Sequence, residues 1–173
     1  MKEATYRGRQ FFSALLARRA IESDRSRGGR LRALEDRLEP AQRRLFLTMD
    51  WADQRHCLDV YHLLVEWGYD HDDLLQAALL HDVGKSLARV RLWHRVAIVL
   101  AQAIHSNIIG RLGSDRPSSW RYPLYVHWRH ADLGARLAQA VGCRPRVVEL
   151  IRRHDEAGGD ELLEALRRAD RAR

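Results

Sequence analysis

An all-α fold is predicted from three observations. Apolar residues recur at three- and four-residue spacing along most of the chain, period-two alternation is scarce, and Gly, Pro and Asp punctuate the apolar runs at helix-length intervals. The expected architecture is one helical domain over 39–173, preceded by a basic helical appendage over 1–38. With 173 residues, 46% hydrophobic and 31% charged, the chain can bury one good core.

The elements follow in order. Phe11, Phe12, Leu15 and Leu16 recur at helical spacing, and 25–30, with Ser26, Gly28 and Gly29, reads as a linker or turn. Leu31, Leu34 and Leu38 make a short apolar stripe; Pro40 opens a new segment, and 42–48 reads as helix. Asp50 or Asp53 is placed to cap a helix over 53–67 that carries His56, Val60, Leu63, Leu64 and Trp67 on one face and ends at Gly68. Asp72 or Asp73 is placed to cap the next, which runs through Leu74, Leu75, Ala78 and Leu79 into His81, with Gly84 expected to stop it. A helix is predicted over 91–109 and a turn-rich loop over 110–123. Helices follow over 124–142 and 145–155, then a tight Gly158-Gly159 turn and a final helix capped by Asp160.

Charge is unevenly distributed. Residues 1–44 hold twelve Lys/Arg against six Asp/Glu, and 45–173 hold eighteen against seventeen, so nearly all of the +7 excess lies in the N-terminal quarter. That quarter suits an acidic partner or a membrane surface. Specific nucleic-acid binding is not expected, because no reading helix or set of stacking aromatics is recognisable. No signal-peptide pattern is visible, and the most apolar stretch, 96–109, contains Gln102, His105, Ser106 and Asn107 and falls short of the ~18 apolar residues of a membrane span. Cys57 and Cys143 have neither metal-type spacing nor a disulfide framework, which points to a reducing, cytoplasmic setting.

The chemistry-bearing residues are histidines and aspartates on predicted helices. His81-Asp82-Val83-Gly84-Lys85 is the densest motif, with His56 before it and His130, His154 and Asp170 after it. Imidazole and carboxylate together suit Mn, Fe, Co, Ni, Zn and Mg to differing degrees. Adjacent helical residues point about 100° apart, so a His-Asp pair at a helix end can embrace an ion from two directions and leave the carboxylate free to bridge a second. Lys85 is one of only two lysines against 28 arginines, an ammonium placed beside the motif as if for phosphate.

His56, then Ala78-Leu79-Leu80-His81-Asp82-Val83-Gly84-Lys85, then Ala169-Asp170, resembles the HD-domain metal-dependent phosphohydrolase superfamily over about residues 45–171. His130-Ala131-Asp132-Leu133-Gly134 and the segment ending at His154 add a resemblance to its HDIG-type subgroup, which includes cyclic-dinucleotide phosphodiesterases. The resemblance implies one or two divalent ions, the first held by His56, His81, Asp82 and Asp170, the second by Asp82, His130 and His154. The subgroup often carries a His-His pair where this chain has His154-Asp155.

The implied function is hydrolysis of a phosphate ester, of a nucleotide or nucleotide messenger, by attack of metal-bound hydroxide, with Asp82 and Lys85 as catalytic residues. Arg89 and Arg95 are candidates for phosphate contacts. Asp59, Asp132 and Asp155 are candidates for orienting a histidine, and His127 is the best spare ligand. Segment 86–122 would border the mouth of the site. The alternative reading is a non-catalytic HD scaffold that acts as a metal- or nucleotide-binding sensor or interaction module.

Overall fold

The computed structural model describes residues 30–88 and 112–173. The described elements are α1 (Arg30–Arg37), α2 (Pro40–Phe46), α3 (Trp51–Glu66), α4 (Asp72–Leu80), a 3₁₀ turn (Val83–Leu87), α5 (Tyr122–Ala140), α6 (Pro145–Arg153) and α7 (Glu161–Ala172), with no strand among the described residues. The all-α expectation holds. No helix among the described residues is long and apolar enough to cross a membrane.

Helix α4 is the axis of the fold. Its residues from Leu74 to Leu80 are all buried, as expected of a helix that is apolar on every side. Helices α1, α3, α6 and α7 pack around it, while α5 packs on α6 and on the 3₁₀ turn. Leu64 and Val60 of α3, Leu150 and Ile151 of α6 and Leu163 and Leu166 of α7 join it in one apolar core.

That core reaches back into the expected appendage. Ala33, Leu34 and Leu38 belong to it. Gln76 of α4 donates to the Arg37 carbonyl at 3.0 Å and to Gln42 Oε1 at 3.1 Å, and Arg37 pairs with Asp70 at 2.9 Å and with Asp72. Residues 33–38 therefore pack against the same core as the helices that follow. The apolar residues at 11–16, residues 25–29 of the linker expected over 25–30, and the helix expected over 91–109 lie outside the described residues, while Arg30 opens α1.

The caps refine the expected boundaries. Asp50 caps α3, accepting from Ala52 and Asp53 N–H at 2.9 and 3.1 Å. At α4 the cap is His71, not Asp72 or Asp73: its Nδ1 accepts from Asp73 N–H at 3.2 Å, and the two aspartates fill the first turn, where the helix dipole favours negative charge. Asp160 caps α7 as expected, accepting from Leu163 N–H at 3.1 Å.

Gly84 does not stop α4 by adopting a left-handed conformation; among the described residues the positive-φ glycines are 68, 142, 158 and 159. Helix α4 ends at Leu80, and Gly84 sits inside the 3₁₀ turn against α5. A Cβ at 84 would stand 2.0 Å from the His130 carbonyl oxygen and 2.7 Å from Gly134 N. The facing Gly134 is close but less tight, its Cβ position lying 3.1 Å from Gly84 N. Two glycines thus let the backbone that carries Asp82 press onto the backbone that carries His130.

Candidate metal centre

Each histidine of the candidate set is placed by a specific element. His56 projects from α3, His81 is the C-cap of α4, His130 lies in α5, and His154 is the C-cap of α6. Asp82 follows His81 at the start of the 3₁₀ turn, and Asp170 lies near the end of α7. His81, Asp82, His130 and His154 are buried.

Three of the four rings are oriented by one device. His81 Nδ1 donates to the Ala78 carbonyl at 3.0 Å, His130 Nδ1 to the His127 carbonyl at 2.8 Å, and His154 Nδ1 to the Ile151 carbonyl at 2.7 Å. In every case the acceptor is three residues earlier on the same helix. A carbonyl can only accept, so each Nδ1 carries the proton, and in the neutral ring Nε2 presents a lone pair. For His81 and His154 the bond also satisfies a carbonyl that a helix end leaves without an intrahelical partner. Both helices aim their C-terminal, partially negative ends at the site, which favours a cation there.

The donor atoms fall into two groups around Asp82. His56 Nε2 and His81 Nε2 lie 4.0 and 3.8 Å from Asp82 Oδ2. Asp170 Oδ1 lies 2.7 Å from His56 Nε2 and 3.5 Å from His81 Nε2. On the other side, His130 Nε2 lies 3.6 Å from Asp82 Oδ1 and 3.3 Å from His154 Nε2. Ligands about 2.1 Å from an ion stand about 3.0–3.4 Å apart in cis or tetrahedral positions and about 4.2 Å apart in trans. The spacings around Asp82 fall within this range, and the two groups, His56-His81-Asp82 and Asp82-His130-His154, could each hold a metal ion; His56 Nε2 and Asp170 Oδ1, 2.7 Å apart, are hydrogen-bonded and would have to separate for both to ligate. The sharpest sign of fit is His81 Nε2: it is fully buried, has no hydrogen-bond partner, and faces the carboxylates of Asp82 and Asp170.

The electrostatics agree for most of the donors; at His81 burial lowers the pKa but Cys57, Asp82 and Asp170 outweigh it and hold it well above the usual range, so that ring must give up a proton to ligate. Burial works against the Asp82 carboxylate, but Lys85, His81 and His130 outweigh it and hold its carboxyl well below the usual range. Burial likewise opposes ionisation of Asp170, and the hydrogen bond with His56 together with the neighbouring His81 ring outweighs it and holds the carboxyl well below the usual range. Lys85 Nζ donates to Asp82 Oδ2 at 2.5 Å; burial would lower its pKa, but Asp82 and Asp53 raise it, so it stays an ammonium. Burial pushes His130 down to about 4 and lowers His154 as well, which keeps both rings neutral and able to ligate.

Five of the six sequence-predicted ligands fall into these donor groups; Asp170 lies beside His56 and His81 without belonging to either group, and Lys85 reaches Asp82. The candidates for orienting a histidine divide. Asp59 pairs with Arg55 at 2.9 Å, and Asp132 pairs with Arg129 and, at 3.6 Å, with Arg152. Asp155 faces ring nitrogens, but on the Nε2 side: Oδ2 lies 3.3 Å from His130 Nε2 and Oδ1 3.3 Å from His154 Nε2. His127 lends its carbonyl to His130 and stacks its ring on that of His130 at 5.9 Å, and belongs to neither donor group. Arg89, Arg95, His94 and His105 lie outside the described residues.

Sequence reasoning missed the backbone carbonyls of Ala78, His127 and Ile151 as the orienting groups. It also missed Cys57, whose Sγ lies 3.8 Å from His81 Nδ1. The signal for the carbonyls was present: a histidine just past the last apolar turn of a buried helix is placed to satisfy a terminal carbonyl. No family model matches the chain, and it has no significant match among curated proteins or solved structures.

Proposed function

We propose that this chain is an HD-type, metal-dependent phosphohydrolase acting on a phosphate ester of a nucleotide or nucleotide messenger, with one or two divalent ions. The observation that carries the reading is the double-faced Asp82. Its Oδ2 is turned to His56 and His81 and its Oδ1 to His130, while Lys85 holds Oδ2. When bound, divalent ions supply Lewis acidity toward phosphate oxygens and acidify water.

The chain's own groups do the rest. The carbonyl-anchored histidines fix the donors before any ligand arrives, so little reorganisation is required. Asp82 binds from both faces of one carboxylate and sets the spacing between the two groups. Lys85 is half-buried, with a flexible stem, so its ammonium can exchange Asp82 for a phosphate oxygen when a divalent ion takes over that carboxylate. Asp82, Asp170 and the neighbouring Asp155 contribute −3 against +4 from two ions, and Lys85 adds +1; the surplus suits a phosphate dianion or diester.

The test is turnover of aryl phosphate mono- and diesters, nucleotides and cyclic dinucleotides with Mn, Mg, Co or Ni. Wild-type protein turns over at least one class, and Asp82→Ala abolishes this while keeping its helical circular dichroism. Undiminished turnover in the Asp82→Ala protein would remove the basis of the proposal. One observation favours a second reading, a non-catalytic sensor or interaction module: Lys85 already neutralises Asp82, so the fold has an internal substitute for a cation. Metal binding without turnover of any of these esters would select that reading.

A further inference from the structure

Asp155 stands at a point where only electron pairs meet. His130 and His154 both direct their Nδ1–H groups into backbone carbonyls, at 2.8 and 2.7 Å. Their Nε2 atoms, 3.3 Å apart, are lone-pair bearers in the neutral ring and cannot hydrogen-bond to each other. The Asp155 carboxylate spans this pair, Oδ2 at 3.3 Å from His130 Nε2 and Oδ1 at 3.3 Å from His154 Nε2. Asp82 Oδ1 adds a further oxygen 3.6 Å from His130 Nε2. Two nitrogens and the carboxylate oxygens thus converge at 3.3–3.6 Å, and the arrangement is repulsive unless a proton or a metal ion lies among them.

Asp155 cannot be an orienting partner for either histidine, since those partners act at Nδ1 and both Nδ1 atoms are already committed to carbonyls. It follows His154 directly, beyond the end of α6, and its side chain is half exposed, so its charge costs little to maintain.

We propose that Asp155 is a ligand of the second ion, completing with His130, His154 and Asp82 a two-imidazole, two-carboxylate site. The inference rests on the metal reading above. It makes the two halves of the centre alike: Asp170 closes the half formed by His56, His81 and Asp82, and Asp155 closes the other. A carboxylate at this position, where a third imidazole would give a softer set, turns the second site toward Mn, Fe or Co and away from thiophilic ions.

The experiment is Mn(II) binding to the full chain after chelator treatment and dialysis, followed by calorimetric titration and by the electron paramagnetic resonance of free Mn(II). Wild-type protein takes up two ions. Asp155→Ala keeps one, and its affinity for the other falls by more than the ~10–100-fold that loss of an outer-shell partner produces. Asp155→His, which restores a donor at that place, binds the second ion again. Asp170→Ala loses the first ion and keeps the second. Should Asp155→Ala lose its helical circular dichroism, the near-isosteric Asp155→Asn carries the same expectation. Mn(II) binding in which neither stoichiometry nor affinity responds to Asp155→Ala overturns the assignment of Asp155 and leaves the metal reading standing. A wild-type protein that takes up no Mn(II) overturns both.

Discussion

Gly84 lies so close to His130 that a single added methyl at 84 would stand 2.0 Å from the His130 carbonyl oxygen. Both residues belong to the site's scaffold: Gly84 is two residues from Asp82, and His130 faces the Oδ1 of that aspartate at 3.6 Å. The missing side chain sets the distance between the strip of backbone that carries Asp82 and the helix that carries His130.

Gly84→Ala is therefore expected to push the 3₁₀ turn away from α5. The contact is backbone to backbone, with no flexible side chain to give way, so the cost should fall at the upper end of overpacking penalties, roughly 2–3 kcal/mol. Urea unfolding would measure it, and Mn(II) affinity should fall in parallel because Asp82 and His130 move apart. A Gly84→Ala protein with unchanged unfolding midpoint and unchanged Mn(II) binding would show that the close approach does not set the site.

Metal removal should lower stability, since an ion that binds only the folded donors stabilises by mass action. At a concentration 100 times Kd the gain is about 2.7 kcal/mol, which for a chain of this size raises Tm by about 5–10 °C. EDTA should reverse the shift. Asp82→Ala, which removes the carboxylate common to both donor groups, should melt at the same temperature with or without Mn(II). A shift that survives in that variant would place the bound ion elsewhere.

Lys85 and an ion at the His56-His81 group compete for Asp82 Oδ2. Lys85→Gln should leave a buried carboxylate without its partner and cost about 1–3 kcal/mol in metal-free protein, less than the ~3–5 of a fully buried pair because 28% of the Lys85 side chain is exposed. Added Mn(II) should then raise Tm more in Lys85→Gln than in wild type, since no ammonium has to be displaced. An equal or smaller metal-induced shift in the variant would contradict this competition. Phosphate-ester turnover should fall even with metal bound, since the variant has no ammonium for a substrate oxygen.

How far the sequence could be read divides along physical lines. The helices are legible because α3, α5, α6 and α7 each bury a defined face while α4 is apolar from Leu74 to Leu80 except at Gln76, and the candidate ligands His56, His81, Asp82, His130, His154 and Asp170 are legible because metal chemistry restricts which side chains can serve. Caps and close approaches are less legible. His71 rather than an aspartate caps α4 because its ring nitrogen reaches Asp73 N–H, which no spacing rule distinguishes from the acidic neighbours. Gly84 reads as a helix stop in one dimension, and only the position of α5 reveals that it is a matter of space. Asp155 is ambiguous for the same reason: which nitrogen of a neighbouring imidazole it faces depends on where the other nitrogen's proton goes.

Cys143 gives a prediction away from the metal centre. It is buried beyond the end of α5, where its N–H donates to the Ala138 carbonyl at 3.0 Å around Gly142 (φ +80°). Burial pushes its thiol from 9.0 up to about 11. The thiolate is the reactive form, so at pH 8 iodoacetamide should modify Cys143 about 100-fold more slowly than a thiol of ordinary pKa, with the rate rising ~tenfold per pH unit as far as about pH 10. The sign for stability follows from the raised pKa: the protonated thiol's contribution is complete below pH 9.0 and is lost as pH climbs through about 11. Cys143→Ala should lack that alkaline component, so urea midpoints of the two proteins should converge or cross between pH 9 and 11. Rapid single-site alkylation at pH 8, mapped to Cys143 by mass spectrometry in folded protein, would show that the thiol is not held in this buried, protonated state.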